Sequence, residues 1–139
     1  MTGVDDFWTR FVAATGIDGP HTTWAFGDSP QMQTELGLLV RDGPKRATAG
    51  PVEEPLPQPG DLSVILDGSG DPLCVIRTTE VEVRPFGEVD ERFAWDEGEG
   101  DRSLDDWRRE HLRFFASLGT PADMHTPVVL ERFELLWSG

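Results

Sequence analysis

DLSVILDGSGDPLCVIRTTEVEVRPF, residues 61–86, carries the clearest β pattern in the 139-residue chain. Residues 62–66 are apolar and largely β-branched, DGSGD (67–71) is turn chemistry, and 73–83 run on with Val81 and Val83 in alternation. The stretch predicts a hairpin with a long second arm, so the domain is built around an antiparallel sheet. Just upstream, EEPLPQPG (53–60) is too rich in proline for a helix or a central strand and reads as a loop.

Further upstream, VRDGPKRATAG (40–50) leaves a helix and leads into a first strand, Ala47 to Val52. The helix is expected from about Pro30 to Asp42. Ser29 caps it, Pro30 suits its first position, and Met32, Leu36, Leu39 and Val40 share a face. Gly43 stands where a left-handed C-cap residue belongs, and Pro44 blocks continuation. Thr22 to Phe26 reads as a short extended piece. DDFWTRFVAATG (5–16) reads as a first helix capped by Asp5 or Asp6 and ended by Gly16.

Downstream of the hairpin, GEVDERFAWDEGEGDRS (87–103) predicts a short helix, about Glu88 to Ala94, and then an acidic loop punctuated by glycine. Ser103 caps the strongest helix of the chain, with Leu104, Trp107, His111, Phe114, Phe115 and Leu118 in a stripe ended by Gly119 and Pro121. TPVVLERFELLW (126–137) closes as a long strand. This order gives an α+β domain with a mainly antiparallel sheet, curled into a small barrel and flanked by helices. One domain over residues 1–139 is expected, with 1–22 an N-terminal helical extension.

The chain has 26 Asp and Glu against 12 Lys and Arg, a net charge of −14. That balance argues against broad, non-specific binding to duplex DNA or long RNA, whose affinity comes from neutralising phosphates, but leaves room for a small anion site. No apolar run approaches the roughly 20 residues of a membrane span, so no membrane partner is expected. The start of the chain lacks the layout of a signal peptide, and the single cysteine, Cys74, allows no internal disulfide. A cytoplasmic protein without metal or other cofactor is expected. The three histidines show no metal spacing, and His111, on the apolar stripe, reads as a satisfied core residue away from any cleft.

Two local concentrations of charge stand out. Arg41, Lys45 and Arg46 fall within six residues of an acidic chain. Arg41 and Lys45 could serve only the negative end of the preceding helix. Alternatively, Lys45 holds negative charge in a pocket, Arg46 and Thr48 share a strand face beside it, and Thr48 supplies a hydroxyl. Asp96, Glu97, Glu99 and Asp101 crowd into the second concentration. Either they form a solvated turn ahead of a helix, or a cation meets them; the interleaved glycines indicate a tight backbone path. Trp24, ahead of the basic stretch, is the candidate stacking platform for a base.

FGD (26–28), Gly43, Lys45 and Thr48 in a glycine-x-lysine-x-x-threonine segment, EGEGDRSLDDW (97–107) and ERFEL (131–135) follow one another in an order that resembles the bacterial ASCH-domain family, over roughly Thr23 to Trp137. The resemblance implies a PUA-like fold, a cleft between the Lys45 segment and the acidic loop, and an RNA or nucleotide ligand. It also implies metal-independent hydrolysis of RNA or of a modified nucleoside, of the ribonuclease or N4-acetylcytidine amidohydrolase type. In the latter, Lys45, Thr48 and Glu97 match the catalytic set, with Glu99 an alternative to Glu97. Gly43, Trp24, Arg46, Glu99 and Asp101 are then the candidate substrate-binding residues. A lysine acts as base toward threonine when its pKa is lowered, whereas a facing glutamate would hold it charged or activate a water. A non-catalytic module for single-stranded RNA and an acidic protein-interaction adaptor are the alternatives, and the oligomeric state is left open.

Overall fold

The computed structural model describes residues 3–139; Met1 and Thr2 of the expected extension lie outside them. Four α-helices and five strands follow in the order α1 (Val4–Thr15), β1 (His21–Trp24), α2 (Pro30–Arg41), β2 (Ala47–Pro51), β3 (Leu62–Leu66), β4 (Pro72–Pro85), α3 (Glu91–Glu97), α4 (Leu104–Ser117) and β5 (Pro127–Trp137), with a 3-10 turn at Phe86–Glu88. The strands form one sheet in the order β1-β3-β4-β5-β2. All pairings are antiparallel except β1 with β3. The α+β, mainly antiparallel architecture is as expected.

Alternation along the strands decides which helix covers which face. On one face, Leu62, Val64 and Val75 pack against Phe7, Trp8 and Phe11 of α1. On the same face but at the other edge, Ala47, Ala49, Val128 and Leu130 pack against Phe93 and Ala94 of α3 and Trp107 and Phe115 of α4. The opposite face takes α2, whose Val40 joins Ile65, Cys74, Ile76 and Phe133. Since α2 covers only part of that face, the rest is left as the floor of a cleft. The edge strands β1 and β2 both line this cleft, so the sheet curls toward a barrel with an open seam.

Several local expectations are corrected. The first helix is capped by Gly3 with no side-chain bond, and Asp5 and Asp6 fall inside its first turn. The first strand is His21–Trp24 rather than the one at Ala47. Gly43 is not left-handed: Asp42 (φ −117°) closes α2, and the amides of Gly43 and Lys45 both donate to the Leu39 carbonyl. The helix expected at Glu88–Ala94 runs from Glu91 to Glu97, because Asp90 caps the Phe93 amide and Gly98, at φ 68°, ends it. That shift makes Glu97 the last residue of a helix and leaves Glu99 in the turn beyond.

Candidate functional site

Lys45, the only lysine of the chain, follows the exit from α2, and its side chain turns inward. It is completely buried. Its Nζ donates to the Ala47 carbonyl at 2.8 Å, to Glu97 Oε1 at 3.1 Å and to Glu99 Oε2 at 2.5 Å. The backbone path that allows this runs through Gly98. A Cβ there would stand 2.9 Å from the Lys45 nitrogen, so the glycine is required both by its positive φ and by this close approach.

Glu97 is the hub of a closed cluster. Oε2 accepts from the Trp107 indole at 2.5 Å and from His111 Nε2 at 3.0 Å. His111 Nδ1 lies 2.8 Å from the Trp107 carbonyl. A carbonyl and a carboxylate only accept, so this pair of neighbours favours the imidazolium form of His111, and its pKa is raised accordingly. Two cations therefore meet two carboxylates, all at least half enclosed, and the repulsion expected within the acidic loop is offset by Lys45 and His111. The core reading of His111 is corrected. It is buried and hydrogen-bonded, but to the acid of the site, and it lines a recess of the cleft. Its sequence signal was the i, i+4 spacing from Trp107, which stacks on it at 4.1 Å.

The charges follow from this geometry. Burial opposes the charge of Lys45, but Glu97 and Glu99 outweigh it and hold the ammonium above its ordinary value. The lowered lysine pKa that a lysine base requires is absent. Burial likewise opposes the Glu97 charge, yet His111 and Lys45 hold this carboxyl well below the usual range. Glu99 differs: burial, with the Glu97 charge adding to it and Lys45 opposing, pushes it up. Its side chain is also 23% exposed, against 1% for Glu97.

His111 gives a test of the cluster by pH. Burial disfavours its charge, but Glu97 raises its pKa above 6.5. A group raised on folding stabilises the fold below its unfolded pKa and loses that contribution as pH rises through the folded value. Thermal melts will therefore show the melting temperature falling as pH climbs from about 6.5. His111→Gln will be less stable than wild type at pH 6 and will lack this decline. Parallel profiles for the two proteins above that pH would contradict the imidazolium.

The cleft has a volume of about 630 Å³. Trp24, Thr48 and Phe114 line it, the proline loop at Pro55 and Pro57 forms one rim, and Leu118, just past the end of α4, adds to another. A smaller recess of about 40 Å³ adjoins it, sharing Phe26, Gly27, Thr48, Ala49 and Phe114 and adding Glu97, Glu99, Glu110 and His111. Thr48 belongs to both, and its hydroxyl makes no hydrogen bond among the described residues.

Lys45, Thr48, Glu97, Glu99 and Trp24 are thus brought to one place. The remaining candidates are not. Arg46 turns back to the carbonyls of Val40 at 3.0 Å and Gly43 at 3.3 Å, performing at the end of α2 the role considered for Arg41 and Lys45. Arg41 pairs on the surface with Asp42. Gly43 lies against Leu39, outside the cleft lining. Asp101 is exposed and accepts from the Ser103 amide ahead of α4. No group of three or more possible metal ligands occurs among the described residues, and none of their helices is long and apolar enough to cross a membrane.

The sequence reading missed the polar floor of the cleft. Thr22, Ser63, Thr78, Glu131 and Thr48 come from β1, β3, β4, β5 and β2 respectively, and all line it. The available signal was Glu131 itself, a charge set in alternation between Val129 and Phe133 on a buried strand.

Comparison with solved structures places this arrangement among relatives. Protein EF3133 from Enterococcus faecalis V583, assigned to the DUF984 family, is 37% identical with a TM-score of 0.84, over 97% of this chain and 88% of that one. The ASCH domain from Lactobacillus crispatus JV V101 is 27% identical with a TM-score of 0.84, over 94% and 92%. The hypothetical protein PH0355, at 16% identity and a TM-score of 0.59 over 84% and 100%, shares the fold alone. No curated protein matches. The fold is PUA-like, as the resemblance implied. The ASCH-domain family model matches residues 22–137, which include the Lys45 segment, the acidic turn and all five polar residues of the floor, and the chain belongs to the ASCH-domain family.

Proposed function

We propose that this ASCH domain binds a nucleoside and hydrolyses an amide on its base without a metal. The observation that carries the reading is the shared recess. Thr48 and Glu99 line one small pocket at the inner side of a cleft whose volume, about 630 Å³, suits a nucleoside-sized ligand. Trp24 offers an aromatic wall for the base.

The two carboxylates take different roles. Glu97 is saturated by Lys45, His111 and Trp107 and acts as a positioning residue. Glu99 is the base: it is the acid that is both raised in pKa and open to the recess. In the proposed reaction the Thr48 oxygen attacks the amide carbon while Glu99 takes the hydroxyl proton. The carbon–nitrogen bond then breaks and that proton passes to the leaving nitrogen. Water, deprotonated by the same carboxylate, then attacks the acyl carbon, the carbon–oxygen bond to Thr48 breaks, and Glu99 returns the proton to the Thr48 oxygen. Lys45 remains charged beside Glu99 throughout.

A ribonuclease reaction fits less well. Its phosphorane would need Lys45, which is fully buried behind Glu99 with its donors already engaged. The test is to incubate the protein with an RNA pool and with acetylated, methylated and plain nucleosides, and to read products by mass spectrometry. Deacylated nucleoside is the expected product. Cleaved RNA would favour the ribonuclease reading, and RNA binding without any product the non-catalytic module.

A further inference from the structure

The cleft floor holds a second constellation, of which the proposed reaction uses only Thr48. Register places it on one sheet face. Thr22 pairs with Ser63, and Ser63 pairs with Ile76, two residues before Thr78. Thr78 pairs with Phe133, two residues after Glu131, and Glu131 pairs with Thr48. Residues directly opposite, or two apart along a strand, point to the same side. One polar side chain from each of the five strands thus forms a continuous stripe, and its last step puts Glu131 beside the proposed nucleophile.

Glu131 is the anchor. It is 8% exposed, and its Oε2 accepts from the Thr78 hydroxyl at 2.8 Å. Its other oxygen has no partner among the described residues and is not sealed from solvent, so it faces the cleft that the residue lines. Ser63 and Thr22 extend the stripe with hydroxyls 3.3 Å apart. Burying a carboxylate with one oxygen unmatched is costly unless a ligand supplies the donor. Burial, with Thr78 opposing and Asp61 adding to it, pushes the Glu131 carboxyl above its ordinary value, so its charged form gains most when an N–H meets it.

The rest of the lining points the same way. Glu53, Asp61 and Glu131 contribute carboxyls to the cleft, and none of its described lining residues is Lys, Arg or His. A phosphate inside it would find like charge and no cation.

We propose that the Glu131 stripe is a recognition subsite for a ligand edge bearing N–H donors, such as an exocyclic amine or its amide, and that the cleft takes this ligand without a phosphate. The proposal rests on reading the cleft as the ligand site and names the substrate class it selects.

Binding is measured separately from turnover, by titration calorimetry. Cytidine is compared with uridine and adenosine with inosine, pairs in which an amine is exchanged for a carbonyl, and each amine is compared with its 5′-monophosphate. In at least one pair the amine-bearing nucleoside will bind at least tenfold more tightly than its carbonyl counterpart, and its 5′-monophosphate will bind at least tenfold more weakly. Glu131→Leu combined with Thr78→Val removes both partners of the buried bond, which keeps the fold because neither group is left unmatched. That variant will lose the preference for the amine, while Thr78→Val alone will retain it. Equal or tighter binding of the carbonyl members, of the phosphates, or of the double variant overturns the proposal, as does absence of binding by all four nucleosides. Selective binding here, with no deacylated product from the acetylated nucleosides, overturns only the hydrolytic reading.

Discussion

Lys45→Ala will lower the free energy of unfolding by about 3–5 kcal/mol, the range for a buried ion pair that loses one partner. The lysine is completely buried and bonded to both Glu97 and Glu99. Its removal leaves two carboxylates together with only His111 to offset them. Urea unfolding followed by tryptophan fluorescence measures the loss. Lys45→Met combined with Glu99→Gln will recover much of it, since a buried charge and one of its two opposing charges are removed together. Arg41→Ala, by contrast, breaks only an exposed pair and will change little. The consequence for enzymology is direct: loss of activity in Lys45→Ala reports the fold as much as the chemistry. A Lys45→Ala protein as stable as wild type would mean that the cluster does not hold α3, α4 and β2 together.

The parts of this structure that could be read from sequence are those fixed by local chemistry. Ser29 and Pro30 place the start of α2, Ser103 that of α4, and the DGSGD turn sets the β3–β4 hairpin. Lys45 and the acidic turn could be paired because opposite charge is scarce in a chain of −14. What escaped depends on distant partners. HTTW, mostly exposed, shows no apolar alternation, and its pairing with β3 is a tertiary choice. Which of Lys45 and Arg46 turns inward depends on the bend after α2: Arg46 reaches back to the helix carbonyls and Lys45 forward to Glu97. His111 lies on an apolar stripe and meets an acid only because α3 ends against α4. The polar stripe was the least legible, since each strand contributes one residue and only the register assembles them.

Glu99→Gln and Thr48→Ala will each reduce turnover of a nucleoside amide by about 10²–10⁴-fold while leaving a folded protein, the usual cost of removing a positioned acid or base or its nucleophile. For Glu99 the stability argument runs opposite to that for Glu97. An acid whose pKa is raised on folding weakens the fold above its unfolded value of 4.5, so glutamine, which resembles the protonated acid, relieves that penalty at neutral pH. Glu97 is held well below that value by His111 and Lys45, and Glu97→Gln will destabilise at neutral pH. The two variants therefore move stability in opposite directions although the residues are two apart. Thr48→Ala should leave affinity for the amide nearly intact, because the hydroxyl has no partner in the resting site and acts only as the carbonyl is attacked. Wild-type turnover will rise with pH through the raised Glu99 value, a limb that Glu99→Gln lacks. If Glu99→Gln keeps full turnover while Glu97→Gln folds normally and loses it, the roles of the two acids are reversed. If all three variants turn over like wild type, the chemistry lies outside the recess.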